Sequence, residues 1–322
     1  MKKLFTVLFT IFIFISAAQA ARSINMTGRF VPPDGKTLLF AGQNNADFDE
    51  FVAVNKKVPA GFMTYVALSD LKGLDEINNV GTGDMFADEL VKKYPGAAVQ
   101  IGLYLVGSLK NIVNGTLDGN IKEFAKWIKK TKSPVFLRIG YEFDNPENGY
   151  EPEIYKKAFI YIIEKMDSLK VENVAYVWHS YAASNPKGLD VWYPGDEYVD
   201  WCAISYFAGN DWLPMLKFSQ KHSKPLMIAE SAPMTWFGLT EAKKPYWYKV
   251  LFKFIEERNI KAFSYINCDW NAQGMFAHYN WGNSKISVTA EIEKIWIENI
   301  ASNRFVWLDD LYKTIQKPLN EK

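Results

Sequence analysis

The stretch Val135-Phe-Leu-Arg-Ile-Gly-Tyr-Glu-Phe-Asp144 decides the fold, and Pro225-Leu-Met-Ile-Ala-Glu-Ser231 repeats its pattern. In each stretch, an apolar run too short for a helix ends at a single carboxylate, Glu142 or Glu230. A buried parallel strand has such a run, and barrel enzymes keep their chemistry at the C-terminal ends of their strands. The pattern therefore predicts two parallel strands that carry an ionisable group at the same end of a sheet.

Segments of the same kind recur along the chain and give eight predicted strands. They are Thr37–Ala41, Phe62–Leu68, Ala97–Leu105, Val135–Gly140, Val174–His179, Trp201–Phe207, Leu226–Ala229 and Ala262–Asn267. Stretches with helical spacing lie between or after them, at Met85–Lys93, Ile121–Lys130, Glu153–Leu169, Tyr246–Arg258 and Ile292–Ile300. This alternation over about 280 residues predicts an α/β protein with a (β/α)8 TIM barrel. The turn after the first strand lacks the glycine fingerprint of a dinucleotide-binding sheet.

The first 20 residues have the three parts of a secretory signal peptide. Lys2 and Lys3 form the basic start, Leu4–Ile15 is the apolar stretch, and Ala18-Gln19-Ala20 is a cleavage site. The apolar stretch is shorter than the roughly 20 residues that cross a membrane. We therefore expect cleavage near Ala20, a secreted or periplasmic mature protein, and no membrane insertion.

No linker, repeat or low-complexity segment interrupts the rest of the chain. Residues 21–322 are therefore predicted to form one catalytic domain with a short C-terminal helical tail, at Leu308–Ile315. Loss of Lys2 and Lys3 takes the formal charge from +1 to −1, which gives no reason to bind nucleic acid or anionic membranes. We expect a monomer, with Cys202 and Cys268 as buried free thiols.

The two carboxylates suggest a reaction class. Glu142 ends the fourth predicted strand and Glu230 the seventh, so a closed barrel places them across its top from each other. Paired carboxyl groups are the equipment of a glycoside hydrolase, about 5–5.5 Å apart for retention and about 6.5–9.5 Å for inversion. Aromatic residues make up 16% of the chain, which suits either a bulky core or a cleft lined with sugar-stacking rings. The three histidines show no metal spacing, and we expect no metal site.

Three motifs in this order resemble those of glycoside hydrolase family 26. Arg138–Asp144 is similar to its strand-four motif, in which an Arg lies four residues before the acid/base Glu. Trp192-Tyr-Pro-Gly-Asp-Glu-Tyr-Val-Asp-Trp201 resembles its strand-six entry, and Lys224–Ser231 resembles its nucleophile segment. The resemblance implies a retaining (β/α)8 hydrolase without a cofactor, with Glu142 as general acid/base and Glu230 as nucleophile.

The same resemblance implies roles for other side chains. Tyr206 would donate a hydrogen bond to the nucleophile, Arg138 would orient a carboxylate, and Trp270 would stack on a sugar. His179 would bond a sugar hydroxyl or Glu142, although a structural role for His179 and a half-buried strand position for Tyr206 remain open. Tyr141 stands where mannan-cleaving members carry a His, and this position bears on the sugars nearest the cut.

Together these features predict a secreted retaining glycoside hydrolase that cuts a β-linked polysaccharide. The resemblance makes β-mannan the first substrate to consider, with β-glucan and β-xylan next. Two alternatives remain open: a barrel that binds carbohydrate without turnover, and a hydrolase or transglycosylase that acts on envelope polysaccharide.

Overall fold

The chain folds into a closed barrel of eight parallel strands, as the sequence predicts. The computed structural model describes residues 26–182 and 188–315, so the predicted signal peptide lies outside the described residues. Each strand pairs in parallel with the next, and β8 pairs with β1 to close the ring. The strands are β1 Thr37–Gly42, β2 Gly61–Ala67, β3 Ala98–Tyr104, β4 Val135–Ile139, β5 Val174–Ser180, β6 Trp201–Tyr206, β7 Leu226–Ser231 and β8 Ala262–Ile266.

Helices alternate with the strands and surround the barrel. They are α1 Asn45–Asn55, α2 Ala87–Lys93, α3 Leu109–Val113, α4 Asp118–Thr131, α5 Pro152–Ser168, α6 Leu213–Lys221, α7 Lys244–Glu257, α8 Ala290–Ile300 and α9 Leu308–Thr314. Three of them, α1, α3 and α6, were not predicted. The buried face of α1 includes Asn45 and Asp47, so its hydrophobic pattern is interrupted. The helix instead begins at a cap, where the Asn44 side chain accepts a hydrogen bond from the Asp47 amide at 2.9 Å.

Side chains alternate between the barrel interior and the helix layer. Phe136 and Trp201 fill the lower interior with their ring centroids 5.4 Å apart, whereas Leu137 and Trp178 pack against the outer helices. A short ninth strand, β9 Phe305–Val306, pairs with β1, and Leu311 of α9 joins the interior cluster. Burying each such side chain contributes about 1.5–3 kcal/mol. The interior is thus filled by apolar groups at its N-terminal end, and polar groups gather at the opposite end.

A β-bulge in β7 sets the direction of one key side chain. Ile204 pairs with Ile228, but Ser205 pairs with Glu230, so Ala229 is an extra residue on β7. Bulges beside active sites re-aim side chains. If β7 alternated regularly after the inward-facing Met227, with no bulge, Glu230 would point toward the helices.

Two further features concern the cysteines and the hydrophobic character of the helices. Cys202 and Cys268 are both buried free thiols, as predicted. Across 26–182 and 188–315, no helix combines the length and apolar character that crossing a bilayer demands.

Candidate active site

Glu142 lies on a tight turn that follows β4. Gly140 and Glu142 both have left-handed backbone angles, with φ of +56° and +52°. A Cβ atom at position 140 would lie 2.9 Å from the ring of Tyr155, so both the angle and the space require glycine there. The Asn148 amide donates to the carbonyl oxygens of Tyr141 at 3.2 Å and Glu142 at 2.9 Å. A non-glycine residue in this conformation costs free energy, and its presence in a pocket is typical of functional sites.

Two polar side chains hold the Glu142 carboxyl group. Ser205 Oγ donates to Oε1 at 2.5 Å, and Asn145 Nδ2 donates to Oε2 at 3.1 Å. Burial, and then the negative charge of Glu230, raise the pKa of Glu142 to about 8. The group therefore carries a proton at neutral pH, as a general acid must.

Glu230 is 7% exposed and forms an ion pair with Arg138, whose Nη1 atom donates to Oε1. Arg138 is fully buried. Its guanidinium carbon lies 5.0 Å from the ring centroid of Tyr65 and 5.3 Å from that of Tyr141, within the range of cation–π attraction. Arg138 therefore keeps a buried cation beside the carboxylate of Glu230.

Gly102 on β3 makes this arrangement possible. A Cβ atom there would lie 2.5 Å from Tyr65 Cδ1 and 2.8 Å from Arg138 Nη2, and both distances are shorter than real Cβ contacts. The guanidinium and the tyrosine ring occupy the volume that any other residue would fill.

A chain of hydrogen bonds joins the two carboxyl groups through the barrel interior. Arg138 Nη1 lies 3.3 Å from His179 Nδ1, and His179 Nε2 lies 3.1 Å from Ser205 Oγ. Since Ser205 bonds Glu142 and Arg138 bonds Glu230, three buried side chains connect the pair. Burial and the charge of Arg138 lower the pKa of His179 well below its usual value, so its ring is neutral.

Two expected roles need correction. Tyr206 points to the helix layer, where it packs on Trp247 and Phe254 with centroid distances of 6.0 and 5.1 Å; its neighbour Ser205 has the inward position instead. Tyr206 therefore does not reach Glu230. His179 is fully buried and uses both ring nitrogens within the protein, so it reaches Glu142 only through Ser205 and has no free nitrogen for a sugar.

Tyr141 and Trp270 differ in how much of each side chain is exposed. Tyr141 is partly exposed, and its ring lies 5.2 Å from Tyr65, beside the ion pair. Trp270 is only 3% exposed, and its indole nitrogen donates to Ser284 Oγ at 3.0 Å. Its ring meets Trp281 edge to face at 5.5 Å, so it supports that ring rather than offering an open stacking face.

Four nearly parallel rings form an aromatic row on the loops after β7 and β8. The order is Phe237, Trp236, Trp281 and Tyr279, with centroid distances of 4.9, 5.6 and 4.6 Å and interplanar angles of 18°, 10° and 9°. Phe237 is 68% exposed and Tyr279 is 51% exposed. Exposed rings at a site mark a surface for apolar faces, including those of sugars.

Backbone and side-chain hydrogen bonds fix the two loops that carry this row. The Thr235 amide donates to the Trp281 carbonyl at 2.8 Å, and Thr235 Oγ1 donates to the Asn280 carbonyl at 2.6 Å. The buried Lys244 Nζ donates to the Asn283 carbonyl at 2.6 Å. The aromatic row is therefore preformed and need not assemble around a ligand.

Several site residues escaped the sequence analysis. Ser205 and Tyr65 lie at inward strand positions, and a strand that is buried on both faces gives no local sequence signal of which side chains point inward. Tyr181, just after β5, is held by its amide, which donates to Asp144 Oδ1 at 2.7 Å. Burial, and then the charge of Glu142, raise the pKa of Tyr181 to about 12.

Comparison with known proteins gives consistent results. The family model described as glycosyl hydrolase family 26 matches residues 104–224. The β-1,3-xylanase TXYA from Vibrio sp is 30% identical over 321 residues, with 90% of this chain and 70% of that protein covered. A β-1,3-xylanase from Alcaligenes sp is also 30% identical, over 313 residues that cover 87% of this chain and 66% of that enzyme.

Solved structures share the fold at lower sequence identity. A GH26 β-mannanase from Bacteroides ovatus superposes with a TM-score of 0.65 at 11% identity, covering 89% of this chain and 95% of its own. A modular endo-β-1,4-mannanase from Cellulomonas fimi gives a TM-score of 0.64 at 13% identity, covering 91% and 79%. At these identities the likeness concerns the barrel and not the substrate.

Proposed function

Because the chain belongs to glycosyl hydrolase family 26, we propose that it cleaves a β-linked polysaccharide with retention, using Glu142 as acid/base and Glu230 as nucleophile. Its class, a glycoside hydrolase acting on O-glycosyl bonds, follows from the family. One observation carries the assignment of residues: one carboxyl group is held in its protonated form and the other is held beside a buried cation. Environments that separate two carboxyl groups in this way indicate which is the acid and which the nucleophile.

In the first step, the Glu230 carboxylate attacks the anomeric carbon while Glu142 gives its proton to the leaving oxygen. The sugar is then esterified to Glu230, and that side chain no longer carries a negative charge. The charge of Glu230 is one cause of the raised pKa of Glu142, so its loss lowers that pKa. In the second step, the ionised Glu142 takes a proton from a water molecule as the water oxygen attacks the anomeric carbon. The bond between that carbon and Glu230 breaks, and the Glu230 carboxylate is restored.

We propose β-1,3-xylan as the substrate, ahead of β-mannan. The support is the 30% identity to two β-1,3-xylanases over most of this chain. Tyr141 adds to it, because the mannan-cleaving pattern has a His at this position. The aromatic row suits a long polysaccharide, since its exposed rings extend over two loops.

We further propose that the protein is exported. The support is the sequence of residues 1–20 alone, with its basic start, apolar stretch and small-residue cleavage site. Mass spectrometry of the protein recovered from culture medium or periplasm would show whether the mature chain begins at Ala21.

The test measures reducing-sugar release from β-1,3-xylan, β-1,4-xylan, β-mannan, mixed-linkage β-glucan and β-1,3-glucan. Wild type is compared with Glu142→Ala, Glu230→Ala and the control Glu172→Gln, which changes an exposed carboxylate before β5 at the opposite end of the barrel. We expect release from β-1,3-xylan, lower by about 10²–10⁴-fold in Glu142→Ala and at least as much in Glu230→Ala. Proton NMR of the first-formed product should show the β anomer.

A substrate with an activated leaving group separates the two roles. The dinitrophenolate group of a dinitrophenyl xyloside or xylobioside departs without protonation, so Glu142→Ala should still form and accumulate the glycosyl-enzyme. Glu230→Ala should not. Full activity in either variant would refute that assignment, and binding without products in wild type would favour the carbohydrate-binding alternative.

A further inference from the structure

We propose that Arg138, His179 and Ser205 form a one-directional hydrogen-bond relay that keeps the transferable proton of Glu142 on Oε2. His179 and Ser205 are then positioning residues, which act through Glu142 without contacting substrate. The catalytic consequence of this relay rests on the proposed function, but the relay itself is a property of the folded protein.

The direction of the relay begins with Arg138, because a guanidinium has donors and no acceptor. Its Nη1 atom carries two hydrogens. One is donated to Glu230 Oε1, and the other points to His179 Nδ1 at 3.3 Å. His179 Nδ1 must therefore accept, and the single proton of the neutral ring must lie on Nε2.

Each later hydrogen bond follows from the one before it. His179 Nε2 donates to Ser205 Oγ at 3.1 Å, so the hydroxyl oxygen is an acceptor on that side. The one hydroxyl hydrogen of Ser205 is then donated to Glu142 Oε1 at 2.5 Å. Glu142 Oε2 accepts the longer hydrogen bond, from Asn145 Nδ2 at 3.1 Å. The shorter bond from Ser205 makes Oε1 the stronger acceptor, so we assign the proton of the acid to Oε2.

The surroundings keep the relay in one state. Arg138, His179 and Ser205 are fully buried, and burial together with the Arg138 charge keeps the pKa of His179 far below its usual value. The other titratable groups that act on Glu142 are Glu230 and the phenols of Tyr141 and Tyr181. Burial raises the pKa of both phenols, so they stay neutral and only Glu230 changes charge during the reaction.

The first experiment reads the tautomer of His179 directly. The chain contains three histidines, so a long-range proton–nitrogen NMR spectrum of histidine-labelled wild-type protein has few signals, and a His179→Gln sample assigns one of them. We expect His179 to be protonated on Nε2 and unprotonated on Nδ1 at every pH from about 5 to 9. A proton on Nδ1, or titration of the ring in this range, would overturn the relay.

The second experiment compares matched variants. At position 205, Ser205→Thr keeps a hydroxyl donor and Ser205→Ala removes it. At position 179, the amide of His179→Gln can accept a hydrogen bond from Arg138 and donate one to Ser205, whereas His179→Leu can do neither. Loss of the donor to the carboxylate should move the basic limb of the kcat/KM profile upward by about one pH unit in Ser205→Ala. The shift should be smaller in His179→Leu and absent in Ser205→Thr and His179→Gln.

A purely structural role gives a different result. It would lower kcat or thermal stability in Ser205→Ala without moving the basic limb, and that outcome would refute the relay. If a variant does not fold, the wild-type tautomer still decides, because only the Nε2-protonated ring can donate to Ser205.

The relay can be tested without turnover. The titration of Glu142, followed by carbon NMR of protein labelled at the glutamate carboxyl carbons, should shift upward in Ser205→Ala and not in Ser205→Thr. This measurement separates the two hypotheses. An inactive wild type with the expected titration would refute the proposed function alone, and an active wild type with an unshifted titration would refute the relay alone.

Discussion

Adding one methyl group at Gly102 should disable the site without touching either carboxyl group. In Gly102→Ala, the new Cβ would lie 2.8 Å from Arg138 Nη2 and 2.5 Å from Tyr65 Cδ1. Ordinary contacts begin at about 3.4 Å, so the guanidinium must move by roughly half an ångström or more. Since Arg138 forms an ion pair with Glu230, the Glu230 carboxylate moves with it.

The expected magnitudes follow from this displacement. A misplacement of about 1 Å at a reacting group costs about 10²-fold in rate, so we expect kcat to fall by about 10- to 100-fold. Overpacking a buried site costs about 1–3 kcal/mol of unfolding free energy. The matched control is Gly119→Ala in α4, where a Cβ meets no atom within 4 Å; it should keep full activity and gain about 0.4–1 kcal/mol.

The assay measures kcat and KM on the polymer that the wild type cleaves, together with urea unfolding of both variants. Wild-type kcat in Gly102→Ala would refute the argument that Arg138 must lie against position 102. A loss of activity that disappears when the protein is fully folded at low temperature would show that stability alone, and not the position of Arg138, accounts for the defect.

Three further outcomes are expected. The wild-type kcat/KM should fall as pH rises through about 8, because Glu142 must carry its proton in the first step; a basic limb below pH 6 on soluble oligosaccharides would contradict this. The native state binds the Glu142 proton more tightly than the unfolded chain does, so ionisation of Glu142 between pH 4.5 and about 8 lowers the unfolding free energy of the wild type. Glu142→Gln avoids this loss. In urea titrations, the unfolding free energy of Glu142→Gln minus that of the wild type should therefore be larger at pH 9 than at pH 5 by about 1 kcal/mol or more; equal differences at both pH values would contradict this. Phe237→Ala and Tyr279→Ala should each weaken the binding of long polysaccharide about 2- to 10-fold in affinity electrophoresis, and should weaken the binding of short oligosaccharides less. Equal losses of affinity for the long and the short ligands would exclude a role of the aromatic row in holding a distant part of the polymer.

The strands were predictable because their signal is local. A buried parallel strand is a short apolar run between polar turns, and each of the eight predicted runs lies within one or two residues of an observed strand. The helix α1 was not predictable in the same way, because its buried face uses Asn45 and Asp47 and its start depends on the Asn44 cap.

The direction of the side chains was harder to predict. Both faces of a barrel strand are buried, so an apolar run does not reveal which residues point inward. The choice between Ser205 and Tyr206 depends on this alternation, and the direction of Glu230 depends on the bulge at Ala229. Neither feature has a local sequence signal. The buried position of Arg138 was predictable, because a charged residue inside an apolar strand must face a partner, and Arg138 pairs with Glu230.

The ion pair between Arg138 and Glu230 also determines the net charge of the buried groups at the site. Before the proposed reaction, the three groups sum to zero: a neutral Glu142, an anionic Glu230 and a cationic Arg138. In the covalent intermediate, Glu230 is a neutral ester and Glu142 is the anion, so the sum is again zero. The negative charge thus passes from Glu230 to Glu142, and the Arg138 guanidinium keeps its charge throughout. The buried site carries no uncompensated charge before the reaction or in the covalent intermediate.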